Sequence, residues 1–291
     1  MGNNCCSEEN PNLVPGTNVF MPITPIASLQ VSSSEIVVGA GAVARDEVSE
    51  GGFAKDPRLD RLYVGVPTKG PVAVGAGTYR GQMKEGKMHG YGRLTLGDGG
   101  VVEGYFTEGR LDSKARAVTS RGENYQGEWK AGRAEGLGSL HIPGGSKIQS
   151  EWVGDKPHGR GTEEWPDGII YEGSYVKGKK NGWGVATNAT NERYEGNFVD
   201  DVYDGYGQLT WKNGQQYKGN WVAGRREGKG ELIFPDSTRF EGTFLNNMKH
   251  GEAMIIIPDG TKLLSNWEKD QRIGPFYQIL PDGSMQPIEG Y

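Results

Sequence analysis

Cysteine is almost absent from these 291 residues: there are two, Cys5 and Cys6, side by side near the start. Adjacent cysteines do not staple a fold, so a disulfide framework is excluded and a reducing, cytosolic setting fits. Long apolar runs are absent too. The longest are short stretches such as Met254–Ile257, far below the roughly 18 residues that cross a bilayer as a helix. The chain is therefore not expected to span a membrane. Residues 1–30 lack the basic n-region and continuous apolar stretch of a secretory signal, so none is expected. There is no excess of positive charge either. With 32 Lys and Arg against 37 Asp and Glu, the net charge of −5 gives no reason to expect nucleic acid.

What is abundant is glycine, 48 residues, together with 7 Trp, 13 Tyr and 8 Phe. Glycine usually supplies about 7% of a chain, but a disordered Gly-rich polymer would not carry this aromatic load. The glycines and rings keep a fixed phase. Steps of 23 residues from Tyr79 give Val102, Tyr125, Ile148, Tyr171, Tyr194, Tyr217, Phe240 and Leu263. Four residues after each comes Met83, Phe106, Trp129, Trp152, Tyr175, Phe198, Trp221, Phe244 or Trp267. Eleven residues after each stands a glycine, with Ser113 the one exception. Nine repeats thus tile residues 79–285 without an insertion, and a period of this kind decides the fold before any local motif does.

Within a repeat, positions 0, 2 and 4 share one face of a strand, with a small residue between two large ones. The glycine at position 2 leaves room for a neighbouring ring to lie over the backbone. A second stretch, such as "GYGRLTL", ends in turn chemistry: "PDG" at 166–168, 258–260 and 281–283, "KNG" at 212–214 and "GDG" at 97–99. The repeat reads strand, turn, strand, turn. Stacked, such hairpins predict an all-β fold: an elongated, single-layer antiparallel β-meander of about nine 23-residue hairpins. Residues 61–78 are expected to form an irregular cap or partial repeat, and residues 286–291 a C-terminal tail. Ala253 and Phe276, standing where other repeats have glycine, fit a covering of the last strands.

The recurrence of Tyr-x-Gly-x-Trp followed by Gly-x-Gly at this spacing resembles the MORN repeat, the membrane occupation and recognition nexus. The second repeat, from Val102, departs most, with Ser113 and Ala115 replacing both glycines of the Gly-x-Gly pair. The resemblance implies a single-layer twisted sheet that serves as a platform for protein partners near membranes or the cytoskeleton. It leaves no room for a separate catalytic domain.

The start of the chain, "MGNNCCSEE", offers lipidation chemistry. Removal of Met1 exposes Gly2 for myristoylation, and Cys5 and Cys6 are then placed for palmitoylation, although Cys6 stands where the myristoylation pattern has Ser or Thr. One acyl chain binds membranes marginally, whereas two hold stably. Residues 1–55 carry two basic and six acidic side chains, a balance of −4, so no polybasic signal assists. Residues 1–60 are read as an acylated, flexible, disordered tether, which places the chain as a peripheral, lipid-anchored protein at the cytoplasmic face of a plasma, internal or cortical membrane.

Chemistry of other kinds finds little support. "GAGAVA" at 39–44 and "GVATNA" at 184–189 open no helix after a strand, as a dinucleotide loop requires. His89, His158 and His250 share one repeat position but stand about 29 and 38 Å apart at about 9.6 Å per repeat, too far for one metal ion. Glu172, Glu195 and Glu241 recur with the repeat and read as a solvated face. No catalytic residue, metal site or cofactor is expected. The candidate partner surface is the aromatic row Tyr125, Trp129, Trp152, Tyr171, Tyr175, Tyr194, Phe198, Tyr217 and Trp221, which suits an amphipathic helix or a cytoskeletal component. Homo-oligomerisation is compatible with the pattern. The function so read is a non-catalytic, membrane-tethered scaffold. The alternative is a module that binds phosphoinositide or other anionic lipid through basic turns such as "KGKK" at 177–180, a row interrupted by Asp200, Asp201 and Asp204.

Overall fold

The computed structural model describes residues 53–288. One turn of helix, α1 (Pro57–Asp60), and a 3-10 turn at Arg61–Tyr63 precede the strands. Then follow β1 (Thr68–Val74), β2 (Gly77–Lys84), β3 (Lys87–Thr95), β4 (Val101–Thr107), β5 (Arg110–Val118), β6 (Asn124–Lys130), β7 (Arg133–His141), β8 (Lys147–Val153), β9 (Lys156–Glu164) and β10 (Ile170–Val176). The second half holds β11 (Lys179–Thr187), β12 (Arg193–Val199), β13 (Val202–Thr210), β14 (Gln216–Val222), β15 (Arg225–Ile233), β16 (Arg239–Leu245), β17 (Met248–Ile256), β18 (Lys262–Glu268), β19 (Gln271–Ile279) and β20 (Met285–Ile288). They form one open antiparallel sheet of twenty strands, a meander. The described chain divides into two compact units, one of residues 53–166 and 175–178, the other of residues 167–174 and 179–288.

The inner face is built around a three-residue fit. In the repeats that begin with tyrosine, that ring lies over its own strand's glycine at position 2 and over the glycine at position 13 on the following strand. A Cβ on Gly207 would meet the Tyr194 ring at 2.6 and 2.7 Å, and one on Gly184 would meet the Tyr171 ring at 2.6 Å. The space expected to hold a neighbouring ring is filled instead by the repeat's own tyrosine. Each tyrosine hydroxyl then donates to the carbonyl three residues on: Tyr79 to Gln82 at 2.9 Å, Tyr171 to Ser174 at 2.9 Å and Tyr217 to Asn220 at 3.1 Å. Where the ring is smaller, the volume returns elsewhere. Val102 is matched by Ala115 in place of glycine, and Phe240 by Ala253. At position 4, Trp129, Trp152 and Trp221 donate indole N–H to the position-13 carbonyl of the repeat before, as Trp152 does to Gly138 at 3.1 Å, whereas Trp267 donates to Ser265 Oγ at 2.8 Å.

Turns join each repeat to the previous one. The position-7 N–H donates to the position-9 carbonyl of the preceding repeat from Gly109 to Asp270, for example Asp201 to Lys180 at 3.0 Å and Asn247 to Arg226 at 3.1 Å. Side chains reinforce this bond: Asp155, Asp201, Asn247 and Asp270 accept the position-9 N–H of the preceding repeat at 2.7–2.8 Å. The other turn is an Asx turn, in which Asp98 accepts from Gly100 at 2.9 Å and Asn213 from Gln215 at 2.9 Å, with the left-handed residue between supplied by glycine, φ 92° at Gly99.

At position 11 a bulge sets three residues of the second strand against one of the first, as His89, Gly90 and Tyr91 face Gln82. The residue there is left-handed, φ 88° at Gly182. Ser113 holds the same geometry at φ 84° without being glycine. The sheet still runs through this repeat, with Gly104 opposite Ala115 and Ala115 opposite Gly127.

Candidate protein-docking face

The nine rings expected to meet a partner are core. Tyr125, Trp129, Trp152, Tyr171, Tyr175, Tyr194, Phe198, Tyr217 and Trp221 are all buried, at most 4% exposed. Their burial has a simple cause. Rings at positions 0 and 4 meet edge to face with one another and with those of the next repeat, as Tyr125 does with Trp129 at 5.2 Å and with Trp152 at 5.1 Å, and Tyr217 with Phe244 at 5.0 Å. Stacking consumes the surface that a partner would need.

In the second unit, cations stand among these rings at position 9. The Lys180 ammonium lies 4.9 Å from the Tyr171 ring centre, and that of Lys249 lies 4.7 Å from Trp267. Arg226 lies 5.3 Å from Phe244, and burial lowers its pKa.

The surface left for a partner is the opposite face. Because Gly184 and Gly196 lie under the inner tyrosines, their strand neighbours Trp183 and Asn197, directly opposed, point outward. Position 12, between the two glycines of Gly-x-Gly, lies on this face. There Leu137 is 66% exposed, Trp183 51% and Tyr206 56%. Single exposed apolar residues are ordinary, but Trp183 and Tyr206 recur at one position of successive repeats in one unit. The signal was present in the sequence as "GWG" and "GYG", where the glycines stand out and the residue between them does not.

In the first unit part of the same face, at β3 to β5, is covered by the chain itself. Residues 53–63 lie across β3, β4 and β5, and the position-12 residue Tyr91 receives them: its hydroxyl is 2.9 Å from the Phe53 carbonyl and 2.8 Å from Glu103 Oε1. The Lys55 ammonium sits 4.8 Å from the Tyr91 ring centre. Tyr105, fully buried, is 2.8 Å from Asp60 Oδ1 and accepts the Asp56 N–H at 3.0 Å. Burial, then the bond to Asp60, pushes its phenol up to about 12. Asp56 is held well below the usual carboxylate range by its bonds to Arg58 and Lys114.

His89 meets the Tyr63 ring edge-on at 5.4 Å, and His158 and His250 occupy the same repeat position on half-buried backbone. Among the described residues no group of three or more His, Cys, Asp and Glu is arranged to hold a metal ion. Recurring carboxylates at position 10 serve the turns, since Glu135, Asp204 and Glu227 accept the position-6 N–H of the following repeat at 2.9–3.1 Å. Gly2, Cys5 and Cys6, and the tether assigned to residues 1–60 up to residue 52, lie outside the described residues.

Known proteins supply a frame for this geometry. The family model described as MORN repeat matches residues 79–101, 125–147, 149–170, 171–192, 194–216, 217–239 and 240–262, more than half of the chain. A search of curated proteins finds no significant match. Among solved structures, the TCP domain of SAS-4 (dCPAP) from Drosophila melanogaster, in complex with a proline-rich motif of Ana2 (dSTIL), is similar at 18% identity. That alignment covers 53% of this chain and 84% of that one, with a TM-score of 0.37. The wild-type TCP10 domain of Danio rerio CPAP is 12% identical over 76% of this chain and 99% of its own, with a TM-score of 0.40. Virginiamycin B lyase from Staphylococcus aureus is 12% identical over 77% and 84%, at a TM-score of 0.15. At scores of this size none of the three informs what this chain does. The repeats at 102–124 and 263–285, which the family model passes over, keep the same two strands, β4 with β5 and β18 with β19. With matches across more than half its length, the chain belongs to the MORN repeat family.

Proposed function

We propose that this protein is a non-catalytic, membrane-tethered scaffold that presents the outer face of its repeats to a protein partner at the cytoplasmic face of a membrane. The observation that carries the reading is the exposure of Trp183 and Tyr206 at equivalent points of successive repeats, a recurring apolar feature of the kind interfaces use. A partner element with an apolar stripe, such as an amphipathic or cytoskeletal helix, suits it. The polar residues of the repeats support the non-catalytic part, since carboxylates such as Asp155, Asp201 and Asp204 are bonded to turn N–H groups. Tethering rests on Gly2, Cys5 and Cys6, two acyl signals being what stable attachment takes.

The test has two arms. Proteins captured on the full chain from cytosolic and cytoskeletal fractions are compared with those captured on Trp183→Ser with Tyr206→Ser. A partner lost with the two rings supports the docking face, and unchanged capture removes it. Cell fractionation with acyl labelling then compares Gly2→Ala, Cys5→Ser with Cys6→Ser, and each single cysteine variant. The expected severity falls in that order, and a Gly2→Ala protein as membrane-bound as wild type would rule out the anchor.

A further inference from the structure

Beside the docked N-terminal segment lies a cleft of about 570 Å³ bordered by β1, β2 and β3. Its charged lining is Lys55, Lys69, Arg80 and Arg93, against the single carboxylate of Asp60. Arg80 and Arg93 are directly opposed on neighbouring strands, beside the Gly81 and Gly92 pair whose inner side Tyr79 covers, so both guanidinium groups start from the outer face. Like charges directly opposite each other in a sheet cost stability. In addition, Arg93 Nε is buried and has no hydrogen-bond partner among the described residues, an arrangement that costs the donor its solvation without return.

The nearby carboxylates are already engaged. Glu103 stands opposite Arg93, but its two oxygens take the Tyr91 hydroxyl at 2.8 Å and the Phe53 N–H at 3.4 Å. Asp60 Oδ1 takes the Tyr105 hydroxyl at 2.8 Å. Glu103 and Asp60 are thus committed elsewhere, while the Arg93 guanidinium borders a recess that Lys55 and Lys69 also line.

We infer that this cleft recognises an anionic side chain, a phosphate ester or a carboxylate, carried by an extended peptide of the protein partner. The Arg93 guanidinium suits such a group because its N–H fork binds two oxygens at once. A peptide fits better than a bilayer because of the neighbouring strand. Among the described residues β1 pairs only with β2, so its free edge can add an extended chain next to the cleft. The assignment rests on the scaffold reading and names the chemistry of its partner.

The experiment measures fluorescence anisotropy of three fluorescein-labelled, glycine-flanked peptides on the full chain, bearing phosphoserine, glutamate or serine. Saturable, salt-sensitive binding of a charged peptide and none of the serine peptide is expected. Arg93→Gln should weaken it about tenfold or more without lowering the melting temperature, since the change removes one of two opposed charges. Lys69→Gln, at the exposed rim, provides a second variant if Arg93→Gln folds poorly, with a smaller loss expected. No saturable binding, or equal binding by Arg93→Gln and Lys69→Gln, overturns the inference. Inorganic phosphate competing as well as the phosphopeptide makes this a free-phosphate site and overturns the peptide. Vesicles containing a phosphoinositide that bind through Arg93 when the peptides do not would assign the cleft to lipid instead. Binding that appears only with Asp46→Asn, Glu47→Gln and Glu50→Gln makes the chain's own acidic stretch the occupant, which also overturns it. Arg93→Gln leaves Trp183 and Tyr206 in place, so failure here and failure of partner capture are separate results.

Discussion

The fit between Tyr194 and Gly207 can be tested by exchanging it for the one the chain itself uses at Val102 and Ala115. A methyl group at position 207 would lie 2.6 Å from ring carbon Cζ and 2.7 Å from Cε2 of Tyr194, about 1 Å inside ordinary contact. The ring cannot retreat freely. It is stacked on Tyr203 at 3.6 Å and meets Phe198 and Trp221 edge-on at 5.2 and 5.6 Å. Gly207→Ala therefore overpacks the core, at about 1–3 kcal/mol, and displaces the hydroxyl from its 2.9 Å bond to the Asn197 carbonyl, worth about 1 kcal/mol. The expected cost is about 2–4 kcal/mol. Tyr194→Val alone empties the site and should cost about 3–5 kcal/mol. Combined, the methyl fills part of the space left by the ring and meets no clash, so the double variant should be more stable than Tyr194→Val. A coupling of about 2–3 kcal/mol is expected. Urea denaturation of the four proteins, followed by circular dichroism and by tryptophan emission with Trp221 as a near neighbour, measures the cycle. Additive losses, or a Gly207→Ala cost below about 0.5 kcal/mol, would refute the three-residue fit.

Ser113 is left-handed where equivalent residues are glycine, so Ser113→Gly should raise stability by about 1 kcal/mol; a loss in denaturant melts would show that the side chain compensates for the backbone. Trp221→Ala, which removes a side chain 2% exposed in the middle of the array, should cost about 3–5 kcal/mol, whereas Trp267, half-buried in the last full repeat, should matter less; equal losses would count against burial as the cause. Burial raises the phenol of Tyr105 from its ordinary 10.0 to about 12 and those of Tyr79, Tyr125, Tyr194 and Tyr217 further. The unfolded chain therefore gives up these protons first, so stability is fully present below pH 10 and is lost as pH rises through 12. A urea midpoint unchanged between pH 9 and pH 12 would contradict that.

The phase of the fold was legible because tyrosine, glycine and tryptophan fall at fixed spacings that only a strand and its alternation turn into one face. The fate of that face was not. Tyr171 and Trp221 look the same in sequence whether their rings are open or stacked, and the decision depends on the distance to the next repeat, which periodicity does not contain. Ser113 and Ala115 obscured the second repeat, yet Val102 had already made the space that Ala115 needs, a compensation visible only when the positions are compared across strands. The contact of Asp56 with Tyr105, 49 residues apart, has no periodic signal at all. Trp183 and Tyr206 were visible as aromatics, but their place between two glycines reads as spacing rather than as display.

The turn that bonds each repeat to its predecessor also constrains how such a protein can change in length over evolutionary time. The position-7 donor and position-9 acceptor recur identically from Gly109 to Asp270, so loss or duplication of one whole 23-residue segment presents the same two groups to each other at the new junction. Removal of a single residue within a strand does not, because it moves every following side chain to the other surface and takes the donor away from its carbonyl. Inheritance can thus alter this chain in whole cassettes with little penalty, while frame-preserving changes of one codon are filtered out, and gene variants should differ by multiples of the repeat.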